Sequence, residues 1–98
     1  MTHQEVMFIT RVHVFITGRV QGVYFRDFTK REAEKLHING WVRNLNDGRV
    51  EAVFEGPKEN LSKMIDWCHK GSPNSRVDKV ALLWETQEEQ YNKFSITG

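Results

Sequence analysis

The period of the apolar residues changes across Gly18–Arg26, and that change constrains the fold more than any other feature of the chain. Before it, in Arg11–Thr17, Val12, Val14 and Ile16 alternate with Arg11, His13, Phe15 and Thr17. That period of two predicts a strand with its aliphatic face inward. After it, Phe25, Phe28, Thr29, Ala33 and Leu36 recur at helical spacing, with Asp27, Lys30, Arg31, Glu34 and Lys35 on the other side. That is an amphipathic helix, predicted to end near His37, before Asn39-Gly40. The segment between, Gly-Arg-Val-Gln-Gly-Val-Tyr-Phe-Arg, must turn a strand into a helix. Two readings of it stand side by side. A helix start leaves N–H groups unpaired and carries roughly half a positive charge, so with Arg26 in the first turn the loop suits an anion. Alternatively the glycines relieve backbone strain and Arg26 is a surface charge. Neither the dinucleotide fingerprint nor the nucleotide-binding loop pattern is present.

The rest of the chain supplies partners for this unit. Trp41–Leu45 and Arg49–Glu55 read as strands around Asn46-Asp47-Gly48, a hairpin signal in which Asp47 is a turn residue and not a metal ligand. Gly56-Pro57 opens a second helix, with Pro57 expected at the first helical position and Glu59 in the first turn. Leu61, Met64, Ile65 and Cys68 mark its core face, which makes Cys68 a small buried hydrophobe. Gly71–Ser75 stops it. Val77–Trp84 is the next strand, Glu85–Gln90 a charged connection, and Tyr91–Thr97 a short terminal strand. Met1–Glu5 is expected to be a loose, disordered tail. The order β-α-β-β-α-β predicts an α+β, ferredoxin-like sandwich: an antiparallel sheet with two helices on one face, plus a short C-terminal strand. Ninety-eight residues fit one domain, 1–98.

Charge and cysteine content exclude several classes. Fourteen Lys plus Arg against thirteen Asp plus Glu leave a formal charge of +1, which is no footprint for nucleic acid or anionic membrane. Arg49–Glu55 also lacks the Gly- and aromatic-rich pattern of an RNA-binding sheet. A single cysteine rules out an internal disulfide and a Cys-x-x-Cys site, and the four histidines have no ligand spacing. His13 alternates with apolar neighbours and is expected on the outer face. No apolar run reaches membrane-spanning or signal-peptide length. The expectation is a cytoplasmic monomer without metal or cofactor. Asp66, Asp78 and the glutamates are expected on solvated faces, so no carboxylate cluster or serine–histidine–acid set emerges.

Two motifs carry a resemblance. Ile16-Thr17-Gly18-Arg19-Val20-Gln21-Gly22-Val23-Tyr24-Phe25-Arg26 is similar to the first signature of the acylphosphatase family, and Gly40-Trp41-Val42-Arg43-Asn44, with Gly48, Val50 and Gly56, to the second. Gly71–Asp78 and Phe94-Ser95-Ile96 resemble that family too, so the similarity covers nearly the whole chain. It implies the ferredoxin-like fold independently of the pattern above. It also implies hydrolysis of the carboxyl–phosphate anhydride of acyl phosphates, without metal. Arg26 and the N–H groups of Gln21, Gly22, Val23, Tyr24, Phe25 and Arg26 would bind the phosphoryl group. Asn44 would orient the attacking water, and inorganic phosphate would be product and inhibitor. Taken alone, Asn44 beside a hairpin reads as a turn-stabilising side chain. Arg19, Arg43 and Arg49 are expected on exposed faces; Tyr24 and Trp41 either shape the mouth of the site or pack. The runner-up is a non-catalytic module that binds phosphate or acyl phosphate, as an accessory domain of larger carbamoyl-phosphate-handling proteins.

Overall fold

The computed structural model describes residues 8–88 and 90–98. The expected Met1–Glu5 tail lies outside them. Seven elements follow in order: β1 (Phe8–Arg19), α1 (Phe25–Lys35), β2 (Asn39–Asn44), β3 (Val50–Gly56), α2 (Lys58–Lys70), β4 (Arg76–Glu88) and β5 (Phe94–Ile96). The sheet order is β4-β1-β3-β2-β5. β1, β2, β3 and β4 pair antiparallel, and β5 joins β2 in parallel. Both helices lie on one face and touch each other. Val12, Val14, Ile16, Val42, Ala52 and Phe54 meet Phe25, Ala33, Leu61, Met64 and Cys68 in one buried core. The alternation in β1 and the stripe in α2 therefore face inward, as their periods predict. Phe28 and Leu36 of the α1 stripe are only half-buried.

Four expectations need correction. Glu85–Gln90 is not a connection up to Glu88: β4 continues, because β1 begins earlier than its alternation suggested and pairs Arg11 with Glu85, Thr10 with Thr86 and Phe8 with Glu88. Pairing with a partner strand overrides the weak strand preference of a charged sequence. Pro57 sits one residue before the helix, extended at ψ 137°, and its carbonyl accepts from the N–H groups of Asn60 and Leu61. Arg49 is half-buried, with its guanidinium 5.0 Å from the Phe15 ring centre.

The glutamates of β3 are the fourth. Glu51 and Glu55 point away from the helices, yet both are buried. Arg11 Nε donates to Glu55 Oε2 at 2.8 Å, and the Gln90 and Tyr91 N–H groups donate to its other oxygen at 3.1 Å. Arg43 Nε and His13 Nε2 each donate to Glu51 at 2.6 Å. A carboxylate only accepts, so His13 carries its proton on Nε2. Burial raises the Glu51 carboxyl, but the Arg43 and His13 bonds outweigh it and hold the group below its ordinary range. The outer face is thus roofed by paired charges and rings, including Trp41, whose Nε1 donates to the Tyr91 hydroxyl at 3.2 Å.

Candidate active site

β1 and β2 are both antiparallel to β3, so they run parallel to each other and end at the same edge of the sheet. Val50 of β3 pairs with Ile16 on one side and Asn44 on the other. Two strand spacings, roughly 10 Å, therefore separate the end of β1 from Asn44. The loop from β1 to α1 bridges that gap. A cleft of about 340 Å³ opens there, lined by Val20, Gly22, Tyr24, Phe25, Arg26, Asp27 and Asn44.

The loop is built by its backbone. A bulge breaks the β1–β4 register between Thr17 and Gly18. A Cβ on Gly18 would lie 2.1 Å from the Arg76 carbonyl oxygen, so only glycine lets β4 approach. Gly22 turns at φ 76°, and Tyr24, the residue before α1, sits in the left-handed region at φ 59°. A non-glycine residue there stores strain. Tyr24 makes no side-chain cap. Among the described residues, no protein acceptor takes a bond from the N–H groups of Gln21 through Arg26. Six successive donors therefore lie at the N-terminal end of α1, where the helix dipole is positive.

Arg26 is half-buried beside them. No hydrogen bond or ion pair engages its guanidinium among the described residues, whereas Arg43 pairs with Glu51, Arg49 with Asp47 and Arg76 with Asp78. A helix-capping or ion-pairing role for Arg26 therefore has no partner among the described residues. Asn44 closes the cleft from β2. Its Oδ1 is buried and accepts from no group among the described residues. A turn-stabilising amide would show such a bond. The turn is instead stabilised by Asp47, whose Oδ1 accepts from the Arg49 N–H at 3.1 Å and whose Oδ2 accepts from Arg49 Nε at 2.8 Å. The backbone bond from Arg49, then its side chain, lower the Asp47 carboxyl.

The sequence-predicted residues Gly22, Tyr24, Phe25, Arg26 and Asn44 thus share one cleft. Trp41 lies on the outer face and does not reach it. Two side chains were missed: the Gln21 carboxamide, which donates to the Leu45 and Arg49 carbonyls, and the Ser72 hydroxyl, which donates to the Val23 carbonyl at 2.9 Å. No local sequence signal marks either. Among the described residues no three His, Cys, Asp or Glu side chains are placed to hold a metal ion, and no helix is long and apolar enough to cross a membrane. Cys68 is fully buried on the core face of α2, where desolvation pushes its thiol pKa up and away from reactivity.

A ferredoxin-like α+β sandwich with a donor-lined cleft at the shared end of β1 and β2 defines the class of protein. The acylphosphatase family profile matches residues 12–96. The chain is 55% identical over 78 residues to an acylphosphatase of Natronomonas pharaonis, covering 80% of this chain and 85% of that one. It is 53% identical over 87 residues to an acylphosphatase of Syntrophobacter fumaroxidans, covering 89% and 90% respectively. The crystal structure of acylphosphatase from Bacillus subtilis superposes with a TM-score of 0.88 at 38% identity, over 91% of this chain and 99% of that one. The chain belongs to the acylphosphatase family, enzymes that hydrolyse acyl phosphates.

Proposed function

We propose that this chain carries out the family's reaction through Arg26, the loop N–H groups and Asn44, as one acylphosphatase-like domain. The phosphoryl oxygens sit among the N–H groups of Gln21–Arg26, with the Arg26 fork bidentate on two of them. The Asn44 amide, able to donate and accept, holds a water in line behind phosphorus. The water oxygen bonds to phosphorus as the bond to the carboxylate oxygen breaks, and the electron pair leaves on the carboxylate. The water's proton passes to a phosphoryl oxygen of the substrate itself. A mixed anhydride is already a good electrophile, so positioning and charge stabilisation suffice without an enzyme base. The charge is met by Arg26 and backbone dipoles, and the route involves no metal.

One observation carries this reading: four loop residues whose N–H groups lack an acceptor among the described residues (Gly22, Tyr24, Phe25 and Arg26), with the Arg26 guanidinium unpaired among them, line one cleft together with Asn44, whose amide oxygen is unsatisfied. Inorganic phosphate binds the same cradle and inhibits competitively. The enzyme works as a monomer in the cytoplasm, on small acyl phosphates. The test is hydrolysis of benzoyl phosphate in the presence of a metal chelator, with Arg26→Ala and Asn44→Ala alongside. Turnover by the wild type and collapse of both folded variants is the expected result. An inactive wild type whose Tm still rises with phosphate would instead assign a binding module. A protein-borne pKa controlling turnover would sink the substrate-as-base step.

A further inference from the structure

We infer that Gln21 is a positioning residue: its side chain is the strut that fixes the Asn44 hairpin against the phosphate cradle. The inference rests on the site reading above and adds a residue to it. Gln21 Nε2 donates to the Leu45 carbonyl at 2.7 Å and to the Arg49 carbonyl at 2.9 Å. A carboxamide has two N–H bonds on its nitrogen and none on its oxygen, so only one orientation of Gln21 serves two carbonyls.

The place of those two acceptors matters. Leu45 and Arg49 are the residues that close the β2–β3 hairpin, and Leu45 directly follows Asn44. Gln21 is the first residue of the unpartnered N–H run. The strut therefore ties one end of the cradle to the neighbour of the residue opposite. No ladder does this. β1 and β2 are not adjacent in the sheet; β3 lies between them. Without Gln21 the separation of cradle and Asn44 is set through β3, the loop itself and the packing of α1 on β2, none of which bonds the cradle to the hairpin end.

Backbone satisfaction does not explain the contact. The Arg49 carbonyl already accepts from the Leu45 N–H at 2.8 Å, and the Leu45 carbonyl from the Gly48 N–H at 3.2 Å. Gln21 takes the second lone pair of each, so its removal orphans neither, and the hairpin survives without it. What is lost is a fixed distance. In-line attack is sensitive to that distance, since a displacement of about 1 Å can cost on the order of 10²-fold in rate. Ser72, buried and donating to the Val23 carbonyl, ties the cradle to the segment between α2 and β4 and not to the hairpin.

The test is a double-variant cycle on benzoyl phosphate hydrolysis, with competitive inhibition by inorganic phosphate as the second readout. Gln21→Met keeps the length of the side chain and removes both donors. The expected result is a fall in kcat of about 10- to 100-fold, with the phosphate inhibition constant changed less than about threefold. In an Asn44→Ala background the same change should cost no more than about threefold, because the partner it positions is gone. Ser72→Ala should show the opposite split, weakening phosphate inhibition while its loss persists in the Asn44→Ala background. Multiplying losses for Gln21→Met, or weakened phosphate inhibition in step with kcat, would overturn the strut. Full activity of Asn44→Ala alone would overturn the site reading itself, and that arm is read separately. Should Gln21→Met not fold, Gln21→Asn replaces it: the amide stays and falls one methylene short of the two carbonyls.

Discussion

Asn44→Ala separates activity from stability, and the structure fixes the direction of both. A residue whose hydrogen bonds support the fold typically costs about 0.5–1.5 kcal/mol when its bonding group is removed. Asn44 Oδ1 is buried and makes no such bond among the described residues. Leaving a buried polar atom unsatisfied costs about 1–3 kcal/mol, reduced to the extent that water in the open cleft reaches it. Truncation to alanine removes that cost and gives up some packing and side-chain contact. The two terms oppose, so the net change in unfolding free energy should lie within about 0.5 kcal/mol of zero. For a domain of this size that is a Tm shift of no more than about 4 °C. Loss of one precisely aimed hydrogen-bonding group in an active site, by contrast, costs about 10²–10³ in kcat. The assay pairs urea unfolding followed by tryptophan fluorescence with benzoyl phosphate turnover on the same preparation. A stability loss above about 1.5 kcal/mol would refute the reasoning, because it would make the amide a structural group.

Four further outcomes rest on contacts elsewhere in the fold. Glu55→Gln keeps an acceptor for the Gln90 and Tyr91 N–H groups but removes the charge that Arg11 faces; it should lower stability by about 2 kcal/mol, or roughly 8–16 °C in Tm, and less than about 0.5 kcal/mol would argue against the pair. Glu51 has its folded pKa held below the ordinary 4.5, so its stabilising contribution is present above that value and is lost as pH falls through the folded one. Urea midpoints between about pH 5 and pH 3 should therefore fall less steeply in Glu51→Gln than in the wild type, with the remaining slope shared by groups such as Asp47. At the glycines, Gly22→Ala meets no atom within 4 Å but strains φ 76° by about 1 kcal/mol, and should mainly weaken phosphate inhibition. In Gly18→Ala the new Cβ would clash with the Arg76 carbonyl and should unfold the chain far more readily in a melting series.

What the chain reveals before folding is the part governed by period. Val12, Val14 and Ile16, or Leu61, Met64, Ile65 and Cys68, announce a face because burial repeats with the geometry of the element. Asp47-Gly48 announces a turn because few residues tolerate the backbone it needs. Glu51 and Glu55 mislead under the same logic. Alternation says that they oppose the core, but being opposite the core and being wet are different things. Arg11, Arg43, His13 and the backbone at 90–91 come from distant parts of the chain to cover them. The reach of β4 to Glu88 is hidden likewise, because it depends on how far β1 extends. Gln21 is the sharpest case. Its position in the loop was legible, but its bonds run to backbone carbonyls 24 and 28 residues away, and a carbonyl carries no sequence mark.

The pairing of the outer-face charges bears directly on the site. A chain with net charge +1 has no global field to draw in an anionic substrate. Selectivity for the phosphoryl group must then come from which cations are left uncommitted at close range. Arg43, Arg49 and Arg76 are each engaged by a carboxylate within 3.0 Å. Among the described residues Arg26 is not, and the N–H groups around it have no acceptor either. An anion entering the cleft displaces no internal partner and gains bonds the protein does not make for itself. The left-handed Tyr24 and the positive φ of Gly22 are non-helical, so the chain before Phe25 does not continue as a further turn of α1. The strain stored in the loop and the unsatisfied donors are therefore one feature, and a substitution that relaxed the loop into regular helix should stabilise the chain while removing the proposed anion site.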